Sequence, residues 1–293
     1  MTAVASLPLR TDGAGDTSLA ARIGDLAVAV LVDEAMLAPK PGLVDARGSG
    51  AHGDMTLRTM LDSAHSLRGS FVAMAQAGQR ATRLDVALRE RLGALGREAE
   101  TAMLQATGGI NTHRGAIWAL GLLAGAAGWL GKTRSASAIA QMAAVIARLP
   151  DRHRPVHTGN KGELTRAVYG VGGAREQAEA GFPHVTAVGL PALRECRARG
   201  DAEPTAQVNA LLAIMARLDD TCVLARAGRA GLHDVQAGAE AVLDAGGIGT
   251  LAGRRRLHEL EAAMLAQRAS PGGAADLLAA TLFLDRLHAV GDQ

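Results

Sequence analysis

Rings are scarce in this chain: three Phe, two Trp and one Tyr serve 293 residues. Stacking single-stranded nucleic acid needs several exposed aromatic side chains, so that class of partner is excluded. Hydrophobic residues still make up 48% of the chain and charged residues 20%, an ordinary globular balance. The interior must therefore be filled by aliphatic and small side chains, with 36 glycines among them, and this favours helices that approach closely. An excess of one charge is also missing. Lys and Arg number 31 against 29 Asp and Glu, a formal charge of +2, which supplies no long-range attraction to DNA or to an anionic membrane. Any anion must be held locally. The two cysteines, Cys196 and Cys222, stand far apart with no Cys-x-x-Cys pair, which excludes a zinc knuckle or iron–sulfur cluster and suits a reducing, cytoplasmic compartment. Residues 1–17 lack a basic segment followed by an apolar core and read as a loose tail before a domain over 18–293. The uncharged run Gly115–Gly131 is shorter than the roughly 20 residues of a membrane span and reads as a buried core helix.

Familiar catalytic signatures are absent as well. There is no Gly-x-x-x-x-Gly-Lys-Ser/Thr loop, no dinucleotide fingerprint, no Gly-x-Ser-x-Gly elbow and no His-Glu-x-x-His. His153 and His157 have helical spacing, but Pro155 lies between them.

What the chain does carry is helical periodicity almost throughout. Over Ser18–Ala38, Ile23, Ala27, Val30 and Leu37 recur on one stripe before Pro39 forbids continuation. Similar patterns predict helices over Thr56–Ala77, Arg83–Gln105, Thr112–Leu130, Ala136–Arg148, Lys161–Val168, Thr186–Arg199, Thr205–Arg226, Val235–Ala245, Leu251–Gln267 and Pro271–Leu287. The best strand candidate, His184–Val188, equally begins a helix. An all-α, single-domain multi-helix bundle with Gly-rich loops follows, without internal repeats.

Four segments concentrate chemistry. Glu34 shares the apolar stripe of its helix, where an ionised carboxylate needs a cation or hydrogen-bonding partner. The following loop holds Lys40 between Pro39 and Pro41, then Asp45, His52 and Asp54, a set that suits Mg²⁺. The alternative is an interior Glu34–Lys40 salt bridge with Asp54 capping the next helix. In the second segment, Thr107–Gly115, Asn111 is placed as the cap of the most apolar helix, and its free N–H groups form an anion site that Arg114 extends. His113 should face the core side. The third, Leu218–Arg226, lies inside an expected helix with Asp219 and Arg226 on the apolar stripe and Asp220 beside them, which suits metal–phosphate binding or a structural ion pair. In the fourth, Ser270 and Pro271 read as a helix start, with Gly272 and Gly273 letting a backbone or ligand approach. The loops Thr158–Gly162 and Gly170–Arg175 have similar character.

Taken in order, these elements resemble the triphosphoribosyl-dephospho-CoA synthase family. The resemblance rests on Glu34 with Pro39–Asp45, Gly50–Met55, Gly109–Gly115, Gly173–Glu176 with Gly181–Pro183, and Ser270–Leu278. The family pattern often carries Lys where this chain has Arg114, which keeps the charge but changes the contact geometry. The resemblance implies an all-helical enzyme that joins ATP to the 2′-hydroxyl of 3′-dephospho-CoA and releases adenine, supplying a prosthetic-group precursor for the acyl carrier protein of malonate decarboxylase or citrate lyase, with a lean toward the former. A separate transferase would pass the product on. Transfer from the ribose C1′ has oxocarbenium character, for which carboxylates are suited. The expected roles follow from this. Glu34 or Asp54 accepts the hydroxyl proton or stabilises the sugar cation, and His113 protonates adenine or orients the ribose. Asp45, Asp219 and Asp220 hold Mg²⁺. Lys40, His52, Asn111, Arg114, Arg226, Ser270, Gly272 and Gly273 bind the substrates. The runner-up is a Mg²⁺-dependent N-glycoside hydrolase acting on a nucleotide such as ADP-ribose, and a non-catalytic helical scaffold is the third reading.

Overall fold

The computed structural model describes residues 14–131, 135–155 and 161–289. Residues 1–13 of the expected tail, His157 of the histidine pair, and Thr158, Gly159 and Asn160 lie outside the described residues. Helix α1 (Ala14–Met36) already includes residues 14–17, so the helix begins earlier than the tail boundary placed it.

Several helix starts are set by short polar side chains that accept an otherwise orphaned N–H. Thr56 caps α2 (Leu57–Ser66), Asp85 caps α4 (Val86–Ala106), Ser135 caps α6 (Ala136–Arg148) and Thr250 caps α12 (Leu251–Ala266). The helix expected over Thr56–Ala77 is two, α2 and α3 (Arg68–Arg80), which meet at Leu67. Helix α5 (Arg114–Leu130) is buried along nearly its whole length, as its uncharged sequence requires. The expected loop Gly170–Arg175 is shorter than read, because its second half opens the short helix α8 (Gly173–Glu179), which is preceded by α7 (Lys161–Tyr169). The strand candidate is a π-helical turn, His184–Gly189, that runs straight into α9 (Leu190–Ala198). No strand occurs among the described residues.

One boundary matters most for the site. The helix expected over Thr205–Arg226 stops early: α10 ends as Glu203–Met215, and α11 (Thr221–Asp244) begins anew after Asp220. Asp220 accepts the Cys222 N–H at 2.8 Å and so acts as an N-cap, a role in which Asp is far more stable than in mid-helix. Helix α11 then continues through residues 227–234, which the periodicity omitted, with a break at Gly228, whose φ of 66° only glycine adopts readily.

Packing is built around α5, which touches α1, α3, α4, α6 and α13 (Gly272–Ala289). Where α3 crosses α5 the backbones themselves meet, because a Cβ on Gly78 would overlap the Gly125 carbonyl and one on Gly128 would overlap that of Ala75. The small residues thus replace ring packing, as the composition demands. One continuous buried cluster joins these helices, and a smaller one, Ala35, Val44 and Met60, lies beneath the loop between α1 and α2. Among the described residues no helix is long and apolar enough to cross a membrane.

Candidate active site

Four chain segments distant in sequence converge on one cavity of about 1410 Å³: the α1–α2 loop, the start of α5, the α10–α11 junction and the start of α13. Pockets for single small ligands span roughly 300–1,000 Å³. This cavity therefore has room for two large substrates.

Glu34, near the end of α1, points inward as its stripe predicts and is 3% exposed. Its partner is Lys40, 1% exposed, whose Nζ lies 2.5 Å from Glu34 Oε1 and also donates to the Glu34 carbonyl. The salt bridge offered as an alternative is thus formed, and both residues still line the cavity. Asp45 turns the other way. Its carboxylate accepts from the Lys40 and Arg47 backbones at 2.9 and 2.7 Å and from the Arg47 guanidinium. Burial would raise its pKa, but the Arg47 side chain and the two backbone N–H groups hold it below the usual carboxylate range. Arg47 in turn pairs with Glu261 on α12, so Asp45 anchors the loop and does not line the cavity.

At the loop's far side, His52 bridges two segments. Its Nε2 lies 2.7 Å from Ser270 Oγ and its Nδ1 3.2 Å from Arg226 Nη2. Burial and the Arg226 charge lower its pKa, so the ring is neutral; Nδ1 accepts from Arg226 and Nε2–H donates to Ser270. Asp54 sits at the rim, 3.7 Å from His52 Nδ1, with its side chain 62% exposed. It caps no helix, since Thr56 does so.

The α4–α5 loop shows where the expected anion site departs from its geometry. Gly108 and Gly109, at φ 65° and 93°, turn the chain at the end of α4, and α5 starts at Arg114 rather than Thr112. The Asn111 side chain still accepts the Arg114 N–H at 3.3 Å. Arg114 is paired with Glu100 at 2.9 Å, so its position near a helix N-terminus is balanced by a protein carboxylate and requires no ligand. His113 is buried. Thr112 Oγ1 donates to Ser63 Oγ at 2.6 Å, and Ser63 Oγ lies 2.7 Å from His113 Nδ1. That chain runs toward the ring, so Ser63 donates to Nδ1 and the proton resides on Nε2, which has no partner. Burial and the nearby Lys40 charge push the His113 pKa down to about 4. The imidazole is neutral at physiological pH and presents one free N–H.

The start of α13 is held differently from the Ser270 cap expected. Helix α13 begins at Gly272, and its Ala274 N–H goes to Asp220 Oδ2 at 2.9 Å. Asp220 therefore ties the first turns of α11 and α13 together, and burial raises its pKa despite the N–H groups around it. Gly272 and Gly273 leave space for Cys222 Sγ and the Asp220 carboxylate, which would lie about 3 Å from an added Cβ. The stripe reading of Asp219 and Arg226 fails for the same reason that α10 ended: both side chains are exposed, Asp219 at the junction and Arg226 reaching to Ala51 O and His52.

One residue in the quoted motifs was given no role and emerges here. Asp276, a turn into α13, lines the cavity and accepts the Ala116 N–H. Its pKa is raised well above the ordinary value by burial and by the charges of Glu34 and Asp220. An added Cβ on Gly115 would overlap its Oδ2, so that glycine makes the room. The position three residues past a Gly-Gly helix start was the available signal; its acidic neighbours come from remote segments.

The expected Mg²⁺ set does not assemble. Asp45 is turned away, Asp220 is engaged by two helix N-termini, and of the three only Asp219 lines the cavity without a side-chain partner among the described residues. Among the described residues no three His, Cys, Asp or Glu side chains are grouped to hold a metal ion.

The opposite end of the cavity is basic. Arg89 of α4 is buried against Trp118, its guanidinium 5.0 Å from the ring centroid, with Asp151 Oδ2 3.5 Å away. Arg154, Arg166 and Arg175 line the same end.

Compared with known proteins, the chain matches the ATP:dephospho-CoA triphosphoribosyl transferase (CitG) family over residues 20–292. It is 59% identical over 270 residues to a "Probable 2-(5''-triphosphoribosyl)-3'-dephosphocoenzyme-A synthase" of Stutzerimonas stutzeri, covering 92% of this chain and 93% of that protein. A Klebsiella pneumoniae protein, "2-(5''-triphosphoribosyl)-3'-dephosphocoenzyme-A synthase", is 57% identical over 261 residues, 89% of this chain and 92% of its own length. No solved structure matches.

Proposed function

Because the chain belongs to the ATP:dephospho-CoA triphosphoribosyl transferase family, we propose that the cavity between α1, α5, α11 and α13 is where ATP and 3′-dephospho-CoA react. The enzyme is a transferase: it moves the triphosphoribosyl group of ATP to dephospho-CoA and releases adenine. The hydrolase and scaffold readings give way to that family. The observation that carries the placement is one cavity, large enough for both substrates, lined by Glu34, Asp220 and Asp276 and also by Arg89, Arg154, Arg166 and Arg175.

In the reaction the C1′–N bond to adenine breaks and a C1′–O bond to the 2′-hydroxyl forms, while positive charge develops on the ribose. Glu34, with Asp220 and Asp276 beside it, lines one part of the cavity, where charge stabilisation is stronger than in bulk water. Asp276 accepts the hydroxyl proton. Its raised pKa makes it a better base than an ordinary carboxylate, and the proton leaves with adenine, so the balance closes without a net release. Glu34, held by Lys40, faces the sugar. Asp54 stands at the solvent rim, away from the buried Glu34–Lys40 pair. His113, neutral with its proton on Nε2, donates a hydrogen bond to adenine or the ribose; giving up that proton would leave an imidazolate, so it orients rather than protonates. Lys40, Arg226 and the His52–Ser270 pair line the path of the substrate oxygens, and Asn111 with Arg114 borders it. Gly272 and Gly273 shape the floor around Asp220. Asp219 is the residue that would hold Mg²⁺ arriving with the triphosphate, since small cations of this kind bind through one or two carboxylates plus substrate phosphates. Bound there, the ion would neutralise phosphate charge.

The product suits delivery, through a separate transferase, to the acyl carrier protein of malonate decarboxylase, with citrate lyase as the other destination. Both substrates are intracellular nucleotides, which supports a cytoplasmic location. The test is mass spectrometry of the protein incubated with ATP, Mg²⁺ and dephospho-CoA and with each omitted in turn. Free adenine and a triphosphoribosyl adduct should form only in the full mixture; adenine from ATP alone would restore hydrolysis. Asp276→Asn should lower kcat by about 10²–10⁴-fold with little change in KM, as loss of a general base does.

A further inference from the structure

Among the described residues, Arg89, Arg154, Arg166 and Arg175 line the arginine end of the cavity together with two acids, Asp151 and Glu163. Asp151, 2% exposed in its side chain, is shared by Arg97 at 2.9 Å and Arg89 at 3.5 Å. Arg175 is partly offset by Glu179 at 2.6 Å. Arg154 and Arg166 hold no side-chain partner among the described residues, and Arg166 packs beside Gly173, two residues from Arg175. Arg89 itself is 5% exposed, yet its Nε has no hydrogen-bond partner. Burial and the charges of Arg175, Arg97 and Arg154 lower its pKa in spite of Asp151. A buried guanidinium with an orphaned donor is costly unless an anion completes the site. Its planar fork, and those of its neighbours, match phosphate oxygens.

We propose that Arg89, Arg154, Arg166 and Arg175, beside Trp118, form a polyphosphate subsite at this end of the cavity. It takes either the triphosphate of ATP or the pyrophosphate of dephospho-CoA, and this choice of ligands rests on the transferase reading above. The subsite sets the direction in which substrate lies: phosphates at the arginines, the reacting ribose toward Asp276. It also gives a chain with a net charge of only +2 a local means of holding a polyanion.

The probe is inorganic tripolyphosphate, titrated calorimetrically into the whole protein at low salt. Arg154→Ala/Arg166→Ala is the informative variant, since both side chains reach solvent and neither supports the core. Arg58→Ala, which lies outside the cavity, is the control. The expected result is binding that weakens by about tenfold or more in the double variant, falls with added salt and is unchanged in the control. Steady-state kinetics then divide the sources: a raised KM for ATP alone assigns the triphosphate, and a raised KM for dephospho-CoA alone assigns the pyrophosphate. Wild-type protein that ignores tripolyphosphate, or a double variant that binds it and both substrates like wild type, overturns the subsite. Arginine-dependent tripolyphosphate binding without any triphosphoribosyl product would uphold the subsite and remove the transferase placement.

Discussion

Lys40 shows how much rests on single buried groups. An ammonium 1% exposed against a carboxylate 3% exposed is stable only as a pair. Lys40→Met should therefore destabilise the fold by about 3–5 kcal/mol through the stranded Glu34 charge. Glu34→Gln/Lys40→Met should recover most of that loss in urea denaturation while remaining inactive; a single variant as stable as wild type would contradict the pairing. His113 provides a second expectation. Its pKa is about 4 in the folded state against 6.5 ordinarily, so the unfolded chain binds more protons between those values. Stability from this residue is complete above pH 6.5 and is lost as pH falls through 4. Comparing wild type with His113→Gln across that window isolates the effect, because the raised pKa values of Asp220 and Asp276 act with opposite sign in both proteins. The difference in unfolding free energy should shrink steadily toward pH 4, and a constant difference would show that the ring is not buried neutral. At this scale the inward direction of Glu34 was legible from its three- and four-residue spacing. The hydrogen bonds from Ser63 and Thr112 that orient His113 were not, since Ser63 belongs to another helix.

Helices were legible where the signals are local. Side-chain caps act within three residues, and apolar stripes repeat within a turn, so α1, α5, α6 and α12 could be placed from the chain alone. Misplaced boundaries at α10 and α11 have one cause: Asp219 and Asp220 fit the helical spacing, but Asp220 gains more as a cap shared by two helix starts. The glycines divide in the same way. Gly128→Ala places a methyl on the Ala75 carbonyl where α3 crosses α5 and should cost about 1–3 kcal/mol or more, as overpacking does. Gly96→Ala, in the middle of α4 with open space around it, should be neutral or stabilising by roughly 0.5–1 kcal/mol. Thermal melts of the two variants should move in opposite directions or, for Gly96, not at all. Gly115→Ala should instead displace Asp276 and reduce turnover more than stability.

At the level of the whole molecule, the cavity walls belong to segments that only folding unites. Ligands that fill it should therefore stabilise the assembled bundle: ATP and dephospho-CoA at about 100-fold above their Kd should each add about 2.7 kcal/mol to unfolding. Differential scanning calorimetry should show the rise in wild type and in Asp276→Asn alike, because that variant loses proton transfer rather than binding. No shift in either would remove the cavity as the substrate site. The linear chain by itself determined the helical class, the buried course of α5, most capped starts and the ordered motifs of the family, since each depends on interactions within a few residues. Only the tertiary structure decided which charges remain available. It committed Asp45 to Arg47, Arg114 to Glu100 and Asp220 to two helix N-termini, and it gathered Asp276 near Glu34 and Arg89 near Arg154 and Arg175. Spacing along a chain sets which way a side chain points from its own helix. The partner that neutralises it, the solvent it loses and the charge it feels come from wherever the other helices pack.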